Sequence, residues 1–188
     1  MKQEIERRKP NGARDYIALA ISTFGVGYIP GAPGTYGSIV GLLIYFPVHV
    51  GLTLERVSFS ERPGSLPGSL LDAWFSTGAL VLLLILVMVG IWAAQRSIPL
   101  LGTDDPSQVV VDEVMGQIIT FLFIPFTWSW PLIITGFLLF RIFDIWKPYP
   151  IDALQELHGG IGVCADDILA GVYAGVCLSI IHAISLTI

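Results

Sequence analysis

The chain has 188 residues, of which 54% are hydrophobic and 13% charged, with a formal net charge of -5. Soluble domains carry about 25% charged residues, so a mean hydropathy of +0.73 leaves an integral membrane protein or an unusually apolar soluble one. The acidic balance, with a pI near 5.0, excludes a nucleic-acid-binding surface, and the composition excludes disorder and collagen-like repeats.

In chain order, a basic tail comes first: Lys2, Arg7, Arg8, Lys9 and Arg14 fall within residues 1–14, ahead of a single helical domain over 15–188. Tyr16–Ile29 is free of charge but short and ends in Gly25, Gly27 and Pro30, which predicts a short surface or re-entrant helix. A cleaved signal peptide fits badly, because no small-residue cleavage pattern follows. Tyr36–Leu54, Ala73–Gln95 and Ile168–Thr187 each reach the roughly 20 apolar residues that cross a bilayer. Glu55–Asp72, rich in Pro, Gly and Ser, is predicted to be a connector without chemistry. Val114–Phe140 is interrupted by Pro125-Phe-Thr-Trp-Ser-Trp-Pro131, which predicts a hairpin tip at the membrane interface. Its arms would be Ser107–Ile124 and Leu132–Trp146. The expected fold is all-α, a polytopic helical bundle of about five spans.

Lysine and arginine bias sets the orientation. A cytoplasmic tail leaves eight basic residues inside and only Arg56 and Arg62 outside. Pro30–Ser38, Asp104–Glu113 and Arg141–Asp167 then share the cytoplasmic face, and so do nine of the fifteen acids.

Four segments there have the means for chemistry. Asp112 and Glu113 open a predicted membrane helix, where adjacent carboxylates near hydrocarbon need a cation or a proton; as plain helix-start acids they would complement the dipole. Arg141, Asp144 and Lys147 recur at i, i+3 and i+6, a spacing that a local ion pair with helix C-terminal capping explains equally well. Gly159-Gly-Ile-Gly162 leads into Asp166 and Asp167, read as another acidic helix start. Asp167, Gly171 and Gly175 form a small-residue face for close packing. Together these acids suit a hard divalent cation such as Mg²⁺. Pro30-Gly-Ala-Pro-Gly-Thr-Tyr-Gly-Ser38 supplies either a backbone N–H cradle for an anion or a capped helix-start turn. It lacks the lysine of a Walker loop. Cys164 and Cys177 read as small core residues, and His49 and His182 as hydrogen-bonded packing residues. His158, beside Gly159, stays open as a functional group.

The ordered motifs Gly25-Val-Gly27 with Pro33-Gly-Thr-Tyr-Gly-Ser38, Val111-Asp-Glu-Val-Met-Gly116, Phe140-Arg-Ile-Phe-Asp-Ile-Trp-Lys-Pro148 with Pro150-Ile151, and Gly159-Gly-Ile-Gly-Val-Cys-Ala-Asp-Asp-Ile-Leu-Ala-Gly171 resemble the phosphatidylglycerophosphatase A family of bacterial membrane lipid phosphatases. The resemblance runs from about Ala18 to Gly175. It implies Mg²⁺-dependent hydrolysis of phosphatidylglycerophosphate to phosphatidylglycerol and phosphate, in phosphatidylglycerol and cardiolipin synthesis at the inner membrane. Asp112, Glu113, Asp144, Asp166 and Asp167 would then bind Mg²⁺ and act in catalysis. Arg141, Lys147, Gly34, Thr35, Gly37 and Ser38 would hold the phosphate. The nucleophile is metal-activated water or an aspartate that takes up the phosphoryl group. The expected partners are the lipid substrate and the bilayer, with no nucleic acid and no obligate protein partner. The alternative is a cation channel or carrier built on the same acids; an acidic cluster at one mouth and the lack of a half-to-half repeat count against it.

Overall fold

A computed structural model describes residues 5–62, 64, 66–125 and 129–187. Every regular element among them is helical. Helix α1 spans Ala13–Thr23, and a 3₁₀ turn follows at Val26–Tyr28. The others are α2 (Pro33–Ser60), α3 (Gly68–Leu101), α4 (Val111–Phe121), α5 (Trp130–Trp146), α6 (Ile151–Leu154) and α7 (Gly159–Ser185). Helix α7 packs against α3, α4, α5 and α6; α4 is also held by α2, and α1 lies on α3.

Three helices, α2, α3 and α7, are long and apolar enough to cross a membrane. They carry exposed apolar residues such as Leu43 on α2, Leu82, Ile85 and Met88 on α3, and Ile180 and Ile184 on α7, as a lipid-facing surface requires. All three run past the charge-free stretches that suggested them, because charged residues at their ends find partners. Arg56 and Asp72 pair across the α2–α3 hairpin, and the Phe59 and Phe75 rings meet at 6.3 Å between centroids. The expected connector at Glu55–Asp72 is therefore mostly helix, with only residues 61–67 between α2 and α3.

The expected arm Ser107–Ile124 is corrected more sharply. Helix α4 has only 11 residues, all but Glu113 buried. At 1.5 Å per residue that is about 16 Å, half of a hydrocarbon core. Its start is delayed because the Val110 N–H donates to the Ser22 carbonyl of α1 at 2.8 Å. Helix α4 is buried on all sides, enclosed by α2, α5 and α7 where a lipid-facing span was expected, with Asp112 and Glu113 at its head. Helix α5, at 17 residues, reaches about 25 Å. Residues 126–128 of the expected tryptophan-rich tip lie outside the described residues.

Glycines permit the enclosure. A Cβ at Gly171 would strike the Gly116 carbonyl, and one at Gly116 would lie 2.6 Å from the Asp167 carbonyl. The α4 and α7 backbones thus touch, and Gly37 and Gly41 let α2 approach α4 in the same way. Helix α7 also begins earlier than expected. Gly159–Gly162 is its first turn, so Asp166 and Asp167 lie about two turns inside the helix. Gly160 fits against the Ile91 carbonyl and Gln95, where a side chain would not.

The basic tail is structured from Ile5 onward. Ile5 N–H donates to the Gly102 carbonyl (3.0 Å) and Arg8 N–H to the Pro99 carbonyl (2.8 Å). Arg7 Nε donates to the Leu100 carbonyl at 3.1 Å. These are carbonyls that the end of α3 leaves without helical partners. Asp15 fastens this strap: its carboxylate, fully buried, accepts from Arg8 Nη1 (2.8 Å), Arg96 Nε (2.7 Å) and the Asn11 N–H (2.8 Å). The Arg8 hydrogen bond, then that of Asn11, hold its pKa down at about 2. A depressed carboxylate pKa stabilises the fold above the unfolded value of 3.8 and ceases to do so as pH falls through 2. Asp15→Asn is therefore expected to lower the melting temperature at neutral pH. The gap from wild type should close between about pH 4 and pH 2 in melts of the detergent-solubilised protein.

Candidate active site

The start of α2, the ends of α3 and α5 and the starts of α4 and α7 converge on one cavity of about 1010 Å³. Its wall includes Asp112, Glu113, Asp144, Asp166 and Asp167 together with Lys147 and Gly34. All five sequence-predicted acids are thus in one place, although they come from three helices.

They do not have the same surroundings. Among the described residues, Asp112, Glu113 and Asp167 each offer a ligand atom within 4.8 Å of the other two. Asp112 and Asp167 are buried, and Glu113 Oε2 is buried without a hydrogen-bond partner. Asp144 and Asp166 have cations instead. Arg141 Nη1 lies 2.6 Å from Asp144 Oδ2. Lys147 Nζ lies 2.5 Å from Asp166 Oδ2, which also accepts from Gln155 Nε2 at 3.1 Å. Burial works against the Lys147 ammonium, but the hydrogen bond and charge of Asp166, aided by Asp167 and Asp144, outweigh it and raise the pKa. Lys147 therefore stays a cation at any ordinary pH.

Five carboxyl groups against two cations would leave the site strongly negative if all were ionised. Like charges at such separations repel by several kcal/mol, on the order of 4 kcal/mol per pair at 4 Å and an effective dielectric of 20. An all-oxygen donor set with one orphaned buried carboxylate oxygen fits a hard divalent cation, which offsets that repulsion.

The glycine-rich segment divides by role. Gly34, one residue into α2, lines the cavity, and a Cβ there would strike Glu113 Oε1 and come within 3.0 Å of Arg141 Nη1. Only glycine lets this helix start lie against both groups. Gly37 is a packing residue against Val110. Ser38 is buried; its hydroxyl donates to the Gly34 carbonyl (3.0 Å) and accepts from Arg141 Nη1 at 3.5 Å. Thr35, next to Gly34, is half-buried in the first turn of α2.

His158, Asp104 and Asp105 also line the cavity. Cys164 is buried in the core, as expected, and Cys177 is half-buried. His182, expected to be hydrogen-bonded, has a buried Nδ1 without a partner. Sequence reading passed over Gln155, which holds Asp166, and Gln95, whose Oε1 accepts the Gly160 N–H at 2.6 Å and so fixes the start of α7. Isolated glutamines carry no spacing signal.

The Phosphatidylglycerophosphatase A family model matches residues 19–182. A Bacteroides thetaiotaomicron protein that bears the provisional name phosphatidylinositol-3-phosphatase is 38% identical over 168 residues, 88% of this chain and 93% of its own. The Escherichia coli phosphatidylglycerophosphatase A is 31% identical, covering 96% of this chain and 91% of its own. That of Haemophilus influenzae is 34% identical, covering 84% and 83%. No solved structure matches. The residues of the cavity other than Ile5 fall inside the matched region, and the chain belongs to the phosphatidylglycerophosphatase A family, as a phosphatase.

Proposed function

We propose that the chain hydrolyses phosphatidylglycerophosphate to phosphatidylglycerol and phosphate, that it requires Mg²⁺, and that its site faces the cytoplasm as a step of phosphatidylglycerol and cardiolipin synthesis in the bacterial inner membrane. The observation that carries this reading is the triad of Asp112 and Asp167, both buried, and half-buried Glu113, beside Arg141 and the start of α2. Family membership supports the reaction, and the excess of basic residues over one set of loops supports the orientation.

Asp112, Glu113 and Asp167 would hold the ion, which when bound supplies charge neutralisation for an anionic substrate. Arg141, kept in place by Asp144, binds phosphate oxygens and stabilises charge that builds up during transfer. The N–H groups at the start of α2, without helical acceptors, face the same anion. Lys147, oriented by Asp166 and Gln155, is a second fixed cation. An ion path receives little support, since no acid occurs on α7 beyond Asp167.

The test is phosphate release by purified protein from phosphatidylglycerophosphate in mixed micelles. Release should stop with EDTA and return with excess Mg²⁺; release that ignores EDTA overturns the metal requirement. Because the Bacteroides relative is named for a different lipid phosphate, phosphatidylinositol 3-phosphate belongs in the same assay. A preference for it would reassign the substrate while leaving the site intact.

A further inference from the structure

The strap at residues 5–12 reaches the active site. Ile5 lines the same cavity as the catalytic acids, held there by its N–H on Gly102 and by the Arg7 and Arg8 contacts to the end of α3. Gly102 has φ +88°, and a Cβ there would come within 3.3 Å of Arg7 Cβ, so the α3 cap is shaped to receive the strap. The buried Asp15, bridging Arg8 and Arg96, locks it. The strap and Asp15 precede the family match, which begins at residue 19. The cavity, at about 1010 Å³, is far larger than a phosphate group needs. Its extra space must accommodate whatever the phosphate is attached to, and Ile5 is one of its apolar lining residues, with Ile98, Val109, Leu157 and Val163, and the one that the strap contributes.

We propose that the strap is a wall of the substrate site and that Ile5 sets which lipid headgroup is accepted. The inference rests on the phosphatase reading above. A bulky apolar side chain on the wall narrows the cavity, so it favours a small glycerol headgroup over a larger inositol ring. Differences of a few methylenes in such a wall change relative kcat/KM by tens of fold when fully enclosed; Ile5 is 37% exposed, so a smaller change follows.

The experiment compares kcat/KM for phosphatidylglycerophosphate and phosphatidylinositol 3-phosphate in the full-length protein. Ile5→Ala should shift the ratio toward the inositol lipid by about threefold or more, and Ile5→Trp should shift it the other way, both through KM with kcat retained. Freeing the strap with Asp15→Asn should act like Ile5→Ala. It should also expose the bonds after Arg7 and Arg8 to trypsin, with the products read by mass spectrometry. A general structural defect would lower kcat for both lipids alike and leave the ratio unmoved. An unchanged ratio in both Ile5 variants, with activity intact, overturns the inference. Absence of hydrolysis of either lipid by the wild-type protein would refute the underlying phosphatase reading instead.

Discussion

Asp112→Asn is expected to reduce phosphate release by at least about 100-fold while the protein still folds and extracts as wild type. Substitutions of groups that merely orient metal ligands cost 10- to 100-fold, and a ligand itself should cost at least the upper figure. Asp167→Asn and Glu113→Gln should do the same. Each variant also removes a charge from a crowded site, since the three ligand atoms lie within 4.8 Å. In the metal-free state, repulsion falls when one acid becomes an amide. The variants should therefore melt at or above the temperature of wild type in EDTA, yet gain less from added Mg²⁺. That pairing, lost activity with undiminished metal-free stability, separates a ligand role from a packing role. Melts with and without Mg²⁺, run beside the release assay, check it. Wild-type turnover in Asp112→Asn would take Asp112 out of the mechanism.

The second large effect is steric and lies outside the charged groups. Gly116 follows Asp112 by one helical turn, and Gly171 follows Asp167 by one turn; the two glycines are in backbone contact. The distance between the two carboxylates is thus set by a glycine contact below them. A valine at 116 would meet the Phe140 ring and the Asp167 carbonyl, and overpacking of this kind costs about 1–3 kcal/mol. Forcing α4 from α7 by even about 1 Å is enough to cost on the order of 100-fold in rate. Gly116→Val should lose that much in kcat and melt lower. Gly78→Val, at an α3 position where a Cβ meets nothing within 4 Å, should be neutral. Equal effects at both positions would show that glycine content, rather than this contact, is what the bundle requires.

The sequence made the acids legible because charges near hydrocarbon are costly and hence informative. Asp112, Glu113 and Asp167 stood out by their position beside long apolar runs, and so did Asp144 and Asp166. What spacing alone did not reveal was the division among them. Asp144 has Arg141 three residues away, a pairing visible in one helix. Lys147 and Asp166 are 19 residues apart and meet only because α5 and α7 pack side by side. The helix ends were misjudged for a related reason. A charge-free run marks where lipid or core begins, whereas a helix continues as long as its charged residues find partners, as Arg56 and Asp72 do. Helix α4 was read as a span because hydropathy registers apolar surroundings without telling protein from lipid. Its enclosure depends on Gly37, Gly41 and Gly171, contributed by two other helices, and periodicity within α4 cannot report them.

The enclosure of α4 bears on how the protein is made. Chains emerge from the N-terminus, so α4, with Asp112 and Glu113 at its head, is synthesised before α7 exists. Too short to span and bearing two acids, it has no stable resting place in the bilayer until the glycine face of α7 arrives. The carboxylates of the cavity therefore cannot come together until residues 159–185 are made. Chains truncated before α7 lack Asp167 and leave α4 uncovered at the same time, so a partial product has neither a site nor a settled core. The acidic cluster and the enclosed core are thus completed by the same helix, α7.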